Sequence, residues 1–90
     1  MPDLKPESPV TLEDVLLMWG YIIHYKDKHV CVLENPKDKK ARPICIPQQV
    51  GPNGLSLEIM KNILFEAKLD EDRYFQILAK VLARQQRSIH

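Results

Sequence analysis

Cysteines, glycines and long apolar segments are all scarce in this sequence, and each shortage excludes a class of protein. The two cysteines among 90 residues, Cys31 and Cys45, are too few to cross-link a small secreted scaffold and lack the spacing of metal ligands. We expect two buried or half-buried thiols, with a disulfide between neighbouring strands as the alternative. No apolar run approaches the roughly 18 residues that a membrane-spanning helix needs. The sequence predicts no metal, no cofactor and no membrane contact.

Motifs of the large enzyme classes are also missing. The three glycines form no phosphate-binding loop, and Cys-x-x-Cys, His-Glu-x-x-His and Gly-x-Ser-x-Gly do not occur. A chain of this length is too short to enclose a deep substrate pocket. Any catalysis would take place on an open surface, which suits a polymeric substrate such as RNA.

The first ten residues differ in composition from the rest of the chain. They are polar and contain Pro2, Pro6 and Pro9, unlike the apolar stretch of a signal peptide. This pattern predicts a flexible N-terminal arm over residues 1–10, a single domain over residues 11–87, and a cytoplasmic location.

Charge is unevenly distributed along the chain. Residues 24–42 contain six basic and three acidic side chains, whereas the remainder has an excess of acids. A basic segment on an acidic body is typical of a phosphate-binding edge, but also of an ordinary solvated hairpin. The basic residues are Lys26, Lys28, Lys37, Lys39, Lys40 and Arg42.

Hydrophobic spacing predicts an α+β fold with the order α-β-β-β-α-α, a three-stranded antiparallel sheet with helices on one face. Thr11 is the predicted N-cap of the first helix, Gly20 its C-terminal stop, and Asp70 the N-cap of the last helix. The predicted helices span 12–19, 56–68 and about 71–87, and the predicted strands span 21–25, 29–33 and 42–46.

Alternation along the strands assigns side chains to the two faces of the sheet. We expect Val30 and Val32 to face the helices together with Ile44 and Ile46. His29, Cys31 and Leu33 would then lie on the opposite, open side, with His29 exposed.

Histidine is the residue type here that could carry proton chemistry near neutral pH. His90 ends the chain, where we expect disorder, and His24 and His29 belong to the predicted hairpin. A histidine in a strand is most often an ordinary surface residue. Alternatively, it could transfer a proton while an RNA 2′-hydroxyl attacks the adjacent phosphate, with Lys26, Lys28 and Arg42 holding that phosphate.

Four motifs occur in an order that resembles a known family. A short apolar helix ends in Gly20-Tyr21, a histidine follows early on the second strand in Lys28-His29-Val30, and the third strand closes on Ile46-Pro47. The second helix reads Met60-Lys61-x-Ile63-Leu64-x-x-Ala67-x-Leu69. Over residues 12–78 the chain resembles the HicA toxins, small mRNA interferases with a fold like that of double-stranded-RNA-binding domains.

This resemblance implies a function and a set of site residues. His29 would be the catalytic histidine, RNA the substrate and a HicB-type antitoxin the protein partner. The residues expected to bind RNA are Lys26, Lys28, Lys39, Lys40 and Arg42.

Three departures from the family pattern keep other functions open. Asp27-Lys28 replaces the family's Gly-Ser before the histidine, Glu58 and Lys68 replace glycines of the second helix, and the last helix is longer. A non-catalytic RNA- or protein-binding module that kept the fold is therefore the alternative. The extra helical length could cover the core or serve a partner or a homodimer.

Overall fold

The computed structural model describes residues 3–87, and their side chains as far as residue 86. It has the predicted α+β architecture, with three helices and an open antiparallel sheet in the order α-β-β-β-α-α. His90, expected to be disordered, lies outside the described residues. The elements are α1 (Pro9–Trp19), β1 (Ile22–Lys26), β2 (Val30–Glu34), β3 (Ile44–Pro47), α2 (Leu57–Glu66) and α3 (Glu71–Arg87).

Helix α1 begins three residues before the predicted start. Ser8 is its N-cap, with Oγ accepting a hydrogen bond from the Thr11 backbone N at 3.2 Å. Pro9 fits the first helical position because its missing N–H would have no partner there. Thr11, predicted as the cap, is instead a buried residue within the helix. The C-terminal prediction is confirmed, since Gly20 ends the helix in the left-handed region at φ 119°.

The segment before α1 is attached to the body of the domain. Leu55 donates its backbone N–H to the Glu7 carbonyl at 2.9 Å. Gly54, at φ 85°, makes this approach possible, because a Cβ there would lie 2.6 Å from the Glu7 oxygen. Of the predicted arm over residues 1–10, the last two residues are helical and the first two lie outside the described residues; flexibility between them stays a prediction.

The sheet has the order β1-β2-β3, so β1 and β3 form its edges. In the β2–β3 register, Cys31 pairs with Ile46 and Leu33 pairs with Ile44, and all four side chains are buried. The prediction that Val30 and Val32 face the helices is therefore wrong; Cys31 and Leu33 do. Paired residues of antiparallel strands share a face, and this register groups the valines with Cys45 and Pro47.

Helices α2 and α3 meet at a sharp corner. Ser56 caps α2, and Asp70 caps α3 as predicted, accepting the Arg73 backbone N–H at 2.7 Å. Between them Lys68 lies in the left-handed region at φ 55°. The core between the helices and the sheet includes Leu12, Leu16, Leu33, Ile44, Ile46, Leu55, Met60 and Tyr74.

The two thiols occupy different environments. Cys31 is buried, Cys45 is exposed, and both are free. On β3, Ile46 lies on the helix side, as its partner Cys31 does, whereas Cys45 lies on the open side. The alternative of a cross-strand disulfide is therefore wrong. The expectation that Cys45 is at least half-buried is also wrong. Within residues 3–87 the structure shows no helix with the length and apolar character needed to cross a membrane.

Candidate functional site

The predicted catalytic histidine lies in the tight turn that joins β1 to β2. β2 begins at Val30, so His29 is a turn residue and not the first residue of the strand. Asp27 donates its backbone N–H to the Val30 carbonyl at 2.9 Å and closes the turn. The side chain of His29 is exposed, as the sequence predicts.

Hydrogen bonds hold the His29 backbone on both sides. Its N–H donates to Asp27 Oδ1 at 2.7 Å, and its carbonyl accepts the Gln48 N–H at 2.9 Å. The second bond continues the β2–β3 pairing one residue beyond the strand. The imidazole is thus presented to solvent from a fixed stretch of backbone, an arrangement that limits the entropy lost when a substrate binds.

Asp27 is the residue that shapes this turn. Oδ1 accepts the backbone N–H groups of His29 and Val30, and Oδ2 accepts the Tyr25 hydroxyl at 2.6 Å. The Tyr25 hydroxyl first, and then the two backbone N–H groups, hold the pKa of Asp27 below 3.8. Conversely, the Asp27 carboxylate raises the pKa of Tyr25. Both carboxylate oxygens are engaged within the turn, and the lowered pKa keeps this carboxylate negatively charged beside His29.

Lys26 points towards the helices and forms an ion pair there. Its Nζ lies 2.6 Å from Oε1 of Glu13, an α1 side chain that is only 3% exposed. Hydrogen bonding to Glu13 raises the pKa of Lys26. Burial, and then the nearby Glu13 carboxylate, raise the pKa of the Cys31 thiol to about 11. The charge of Lys26 is therefore compensated within the protein, and Lys28 is the exposed cation adjacent to His29 in the turn.

The other predicted RNA-binding residues lie at the opposite end of the sheet. Lys39, Lys40 and Arg42 belong to the connection between β2 and β3, which leaves β2 at the end remote from His29. At about 3.4 Å per residue, the six steps along the chain from His29 to Asn35 span about 20 Å. The structure does not bring these three side chains together with His29.

Two of these distant cations, Lys40 and Arg42, border an open, mainly apolar groove of about 880 Å³. Its most prominent side chain is Phe65, which is 84% exposed. Lys40, Arg42 and Lys68 supply positive charge, and Asp38, Glu66 and Asp70 balance it. We call this surface the Phe65 groove.

The second hairpin histidine offers a comparison for the first. His24 is exposed at an irregularity in the β1–β2 pairing, and its Nδ1 lies 3.4 Å from Oε1 of Glu34. An exposed histidine beside a carboxylate is sufficiently explained as an ordinary polar contact on the surface.

Sequence reasoning missed Glu13, Gln48 and Phe65. Nothing in the local pattern marks Glu13, since its partner is 13 residues away in the chain. Nothing in the local pattern marks the backbone N–H of Gln48 either, because its acceptor, the His29 carbonyl, is distant in the chain. Phe65 could have been found, because it lies outside the apolar stripe of α2 and is therefore expected to face solvent.

The described part of the chain, residues 3–87, contains no group of three or more His, Cys, Asp or Glu side chains suited to hold a metal ion. Comparison with protein-family models, with curated proteins and with solved structures returned no match to this chain. The relationship to the HicA toxins therefore stays a prediction that depends on the four motifs.

Proposed function

We propose that this chain is a HicA-like toxin that binds RNA at the β1–β2 turn and cleaves it with His29 as the proton-transfer group. One observation carries the proposal: the His29 side chain is exposed, while both its backbone N–H and its carbonyl are hydrogen-bonded. A catalytic group benefits from such fixed positioning.

The reaction is a transesterification followed by release of the RNA fragment. His29 takes the proton of a 2′-hydroxyl, the O2′–P bond forms, and the P–O5′ bond breaks. The leaving 5′ oxygen gains a proton from the imidazolium or from water, which leaves a 2′,3′-cyclic phosphate and a 5′-hydroxyl. Proton transfer by one positioned group contributes roughly 10²- to 10⁴-fold to the rate. Because this scheme needs only the imidazole and water for proton transfer, we propose that cleavage is independent of metal ions.

Lys28 is the residue that we assign to the phosphate at this site. It precedes His29 in the turn, is exposed, and its charge favours a phosphate oxygen as negative charge develops there. Lys26 acts differently, since its ion pair with Glu13 fixes the start of the turn against α1.

The α2–α3 corner supports the family resemblance. The family motif places glycine between its alanine and its leucine, and the corresponding residue here, Lys68, is a left-handed residue with φ 55°. Left-handed backbone favours glycine, so the two sequences suit the same corner. By this resemblance the partner is a HicB-type antitoxin that covers the site, and the protein acts in the cytoplasm.

The test is RNA cleavage by purified wild-type protein, His29→Ala and His24→Ala in the presence of a chelator. We expect His29→Ala to lose at least about 100-fold in rate and to lose toxicity when expressed in growing cells. His24→Ala is the matched control, an exposed histidine of the same hairpin, and should keep its activity. Cleavage by His29→Ala at the wild-type rate would refute the catalytic assignment.

A second candidate is a non-catalytic RNA-binding module, and the Phe65 groove favours it. Cations beside an exposed aromatic ring are the combination that binds single-stranded nucleic acids, through phosphate contacts and base stacking. This candidate predicts RNA binding that weakens with salt and no cleavage by any of the three proteins. RNA binding that is insensitive to salt would contradict it.

A further inference from the structure

Strand β1 is an edge strand with unusually open surroundings. All five of its residues are exposed, and within residues 3–87 no strand lies along its outer side. Three large apolar side chains, Ile22, Ile23 and Tyr25, are exposed on this one short strand. An edge of this kind presents unpaired backbone groups that can pair with another strand.

The opposite edge of the sheet is protected in ways that β1 is not. Pro43 precedes β3 and Pro47 ends it, and prolines interrupt the donors that an added strand would need. Helix α2 also packs against β3. β1 contains no proline, so an added strand would pair far more readily at β1.

We propose that β1 of one copy of this chain pairs antiparallel with β1 of a second copy, so that two sheets become one continuous sheet. This inference is independent of the proposed nuclease function. It concerns a different surface from the imidazole of His29 and from the Phe65 groove.

The arrangement of side chains along β1 makes the strand complementary to itself. Within one copy, Ile22 pairs with Glu34 of β2 and Tyr25 pairs with Val32. Both pairs lie on the open face of the sheet. A two-fold axis perpendicular to the sheet keeps the open faces on one side. Among the registers that match the faces, the one centred between Ile22 and Tyr25 places Ile22 of each copy opposite Tyr25 of the other, which forms two equivalent pairs of a branched and an aromatic side chain.

Charge favours a second copy of the same strand as the occupant. Lys26 is the one Lys or Arg side chain of β1, and Glu13 compensates its charge within the same protomer. Two uncompensated lysines brought together would oppose association. Self-pairing of β1 avoids this repulsion.

The available area predicts a weak dimer. The three apolar side chains together expose roughly 300 Å² per copy, near the lower end of the largest apolar patches on monomers. Even with the backbone and His24 included, the interface falls below the roughly 1,200 Å² of standard complexes. The register irregularity between Ile23 and Tyr25 also interrupts regular pairing. We expect a dissociation constant between roughly 10 µM and 1 mM.

Sedimentation equilibrium up to roughly millimolar concentration tests the association. We expect concentration-dependent dimerisation of the wild type, and at least a tenfold higher dissociation constant for Ile22→Lys. The new lysine would lie across from Glu34 on β2, which supports the monomer fold. Val10→Lys is the matched control, because Val10 is a branched side chain of similar exposure on α1, 54% against 49% for Ile22.

Disulfide trapping tests the register. In a Cys45→Ser background, a mixture of the Ile22→Cys and Tyr25→Cys proteins should cross-link to a heterodimer faster than either protein cross-links with itself. A wild type that stays monomeric at all concentrations would overturn the proposal. The proposal would also be overturned if Ile22→Lys and Val10→Lys weakened dimerisation equally. Cross-linking of Ile22→Cys with itself faster than with Tyr25→Cys would overturn it as well.

Discussion

The two ends of the sheet are built in contrasting ways. At the β1–β2 end, a short turn is fixed by the Asp27 carboxylate and attached to α1 through the Lys26–Glu13 ion pair. At the other end, a nine-residue connection between Glu34 and Ile44 borders the Phe65 groove. The first end offers one positioned imidazole with little free positive charge. The second end offers several cations and an exposed ring, and among residues 3–87 no histidine lines the Phe65 groove.

This contrast shows that the basic segment of the sequence is not one surface. The sequence places six cations within residues 24–42, but the β2 strand separates them into two groups. The two groups of cations can therefore be altered separately, and each alteration tests one end of the molecule.

Removal of the Lys26 side chain should have the largest effect on stability. Lys26→Ala leaves the Glu13 carboxylate buried without its cation, and such losses cost 3–5 kcal/mol at fully buried pairs. Because the Lys26 side chain is 43% exposed, we expect a smaller decrease of about 1–3 kcal/mol in the free energy of unfolding. Urea denaturation measures it. Lys28→Ala, the exposed neighbouring lysine, should change stability by less than about 0.5 kcal/mol; equal losses would show that the ion pair contributes nothing.

Charge reversal at each end tests the proposed RNA binding and the end at which it would occur. If the β1–β2 turn is the binding surface, Lys28→Glu should weaken RNA binding about tenfold and lower the magnitude of the salt slope by about one. Arg42→Glu should then change affinity less than about twofold. Equilibrium titrations at several salt concentrations measure both quantities. The opposite ranking would move the RNA site to the Phe65 groove and favour the non-catalytic alternative.

The corner between α2 and α3 should show a smaller effect of favourable sign. Lys68→Gly removes the steric cost of a side chain on left-handed backbone. This gain exceeds the entropy cost of glycine, so we expect the free energy of unfolding to rise by about 0.5 kcal/mol. Lys61→Gly in the interior of α2 is the control and should destabilise by about 1 kcal/mol. Thermal unfolding of both variants measures the difference; destabilisation by Lys68→Gly would contradict this account of the corner.

Acidification should loosen the turn locally. Hydrogen bonding lowers the pKa of Asp27 in the folded protein below the ordinary value of 3.8. The contribution of these hydrogen bonds to stability is therefore complete above pH 3.8, and it is lost as the pH falls through the folded-state pKa. The amide resonances of His29 and Val30 should shift in that range by NMR. Asp27→Asn removes the titrating group, and an unchanged titration in this variant would assign the shift to another residue.

Local signals in the sequence predicted most of the fold. Gly20 and Asp70 mark helix ends through backbone preferences that act over a few residues, and the structure confirms both. Thr11 failed as a cap because Ser8 competes for the same role and Pro9 can follow it directly. The order of the six elements needed only hydrophobic periodicity and turn chemistry.

Long-range pairing limits what the sequence predicts about faces and sites. Alternation divides β2 into two sets but does not say which set is buried, and pairing with Ile44 and Ile46 decides for Cys31 and Leu33. The exposure of His29 was predicted correctly, although the residue proved to lie in the turn. The Lys26–Glu13 ion pair depends on how α1 packs over the sheet, which no local pattern encodes.

Trp19 provides the molecule with its own optical reporter. It is the single tryptophan of the chain, and its Nε1 donates to the Ala67 carbonyl at 3.0 Å, next to residues that line the Phe65 groove. Its indole emission should respond when this junction changes and stay nearly silent when a ligand contacts the β1–β2 turn. A titration followed by intrinsic fluorescence would therefore report which end of the sheet is occupied, without a dye or a label.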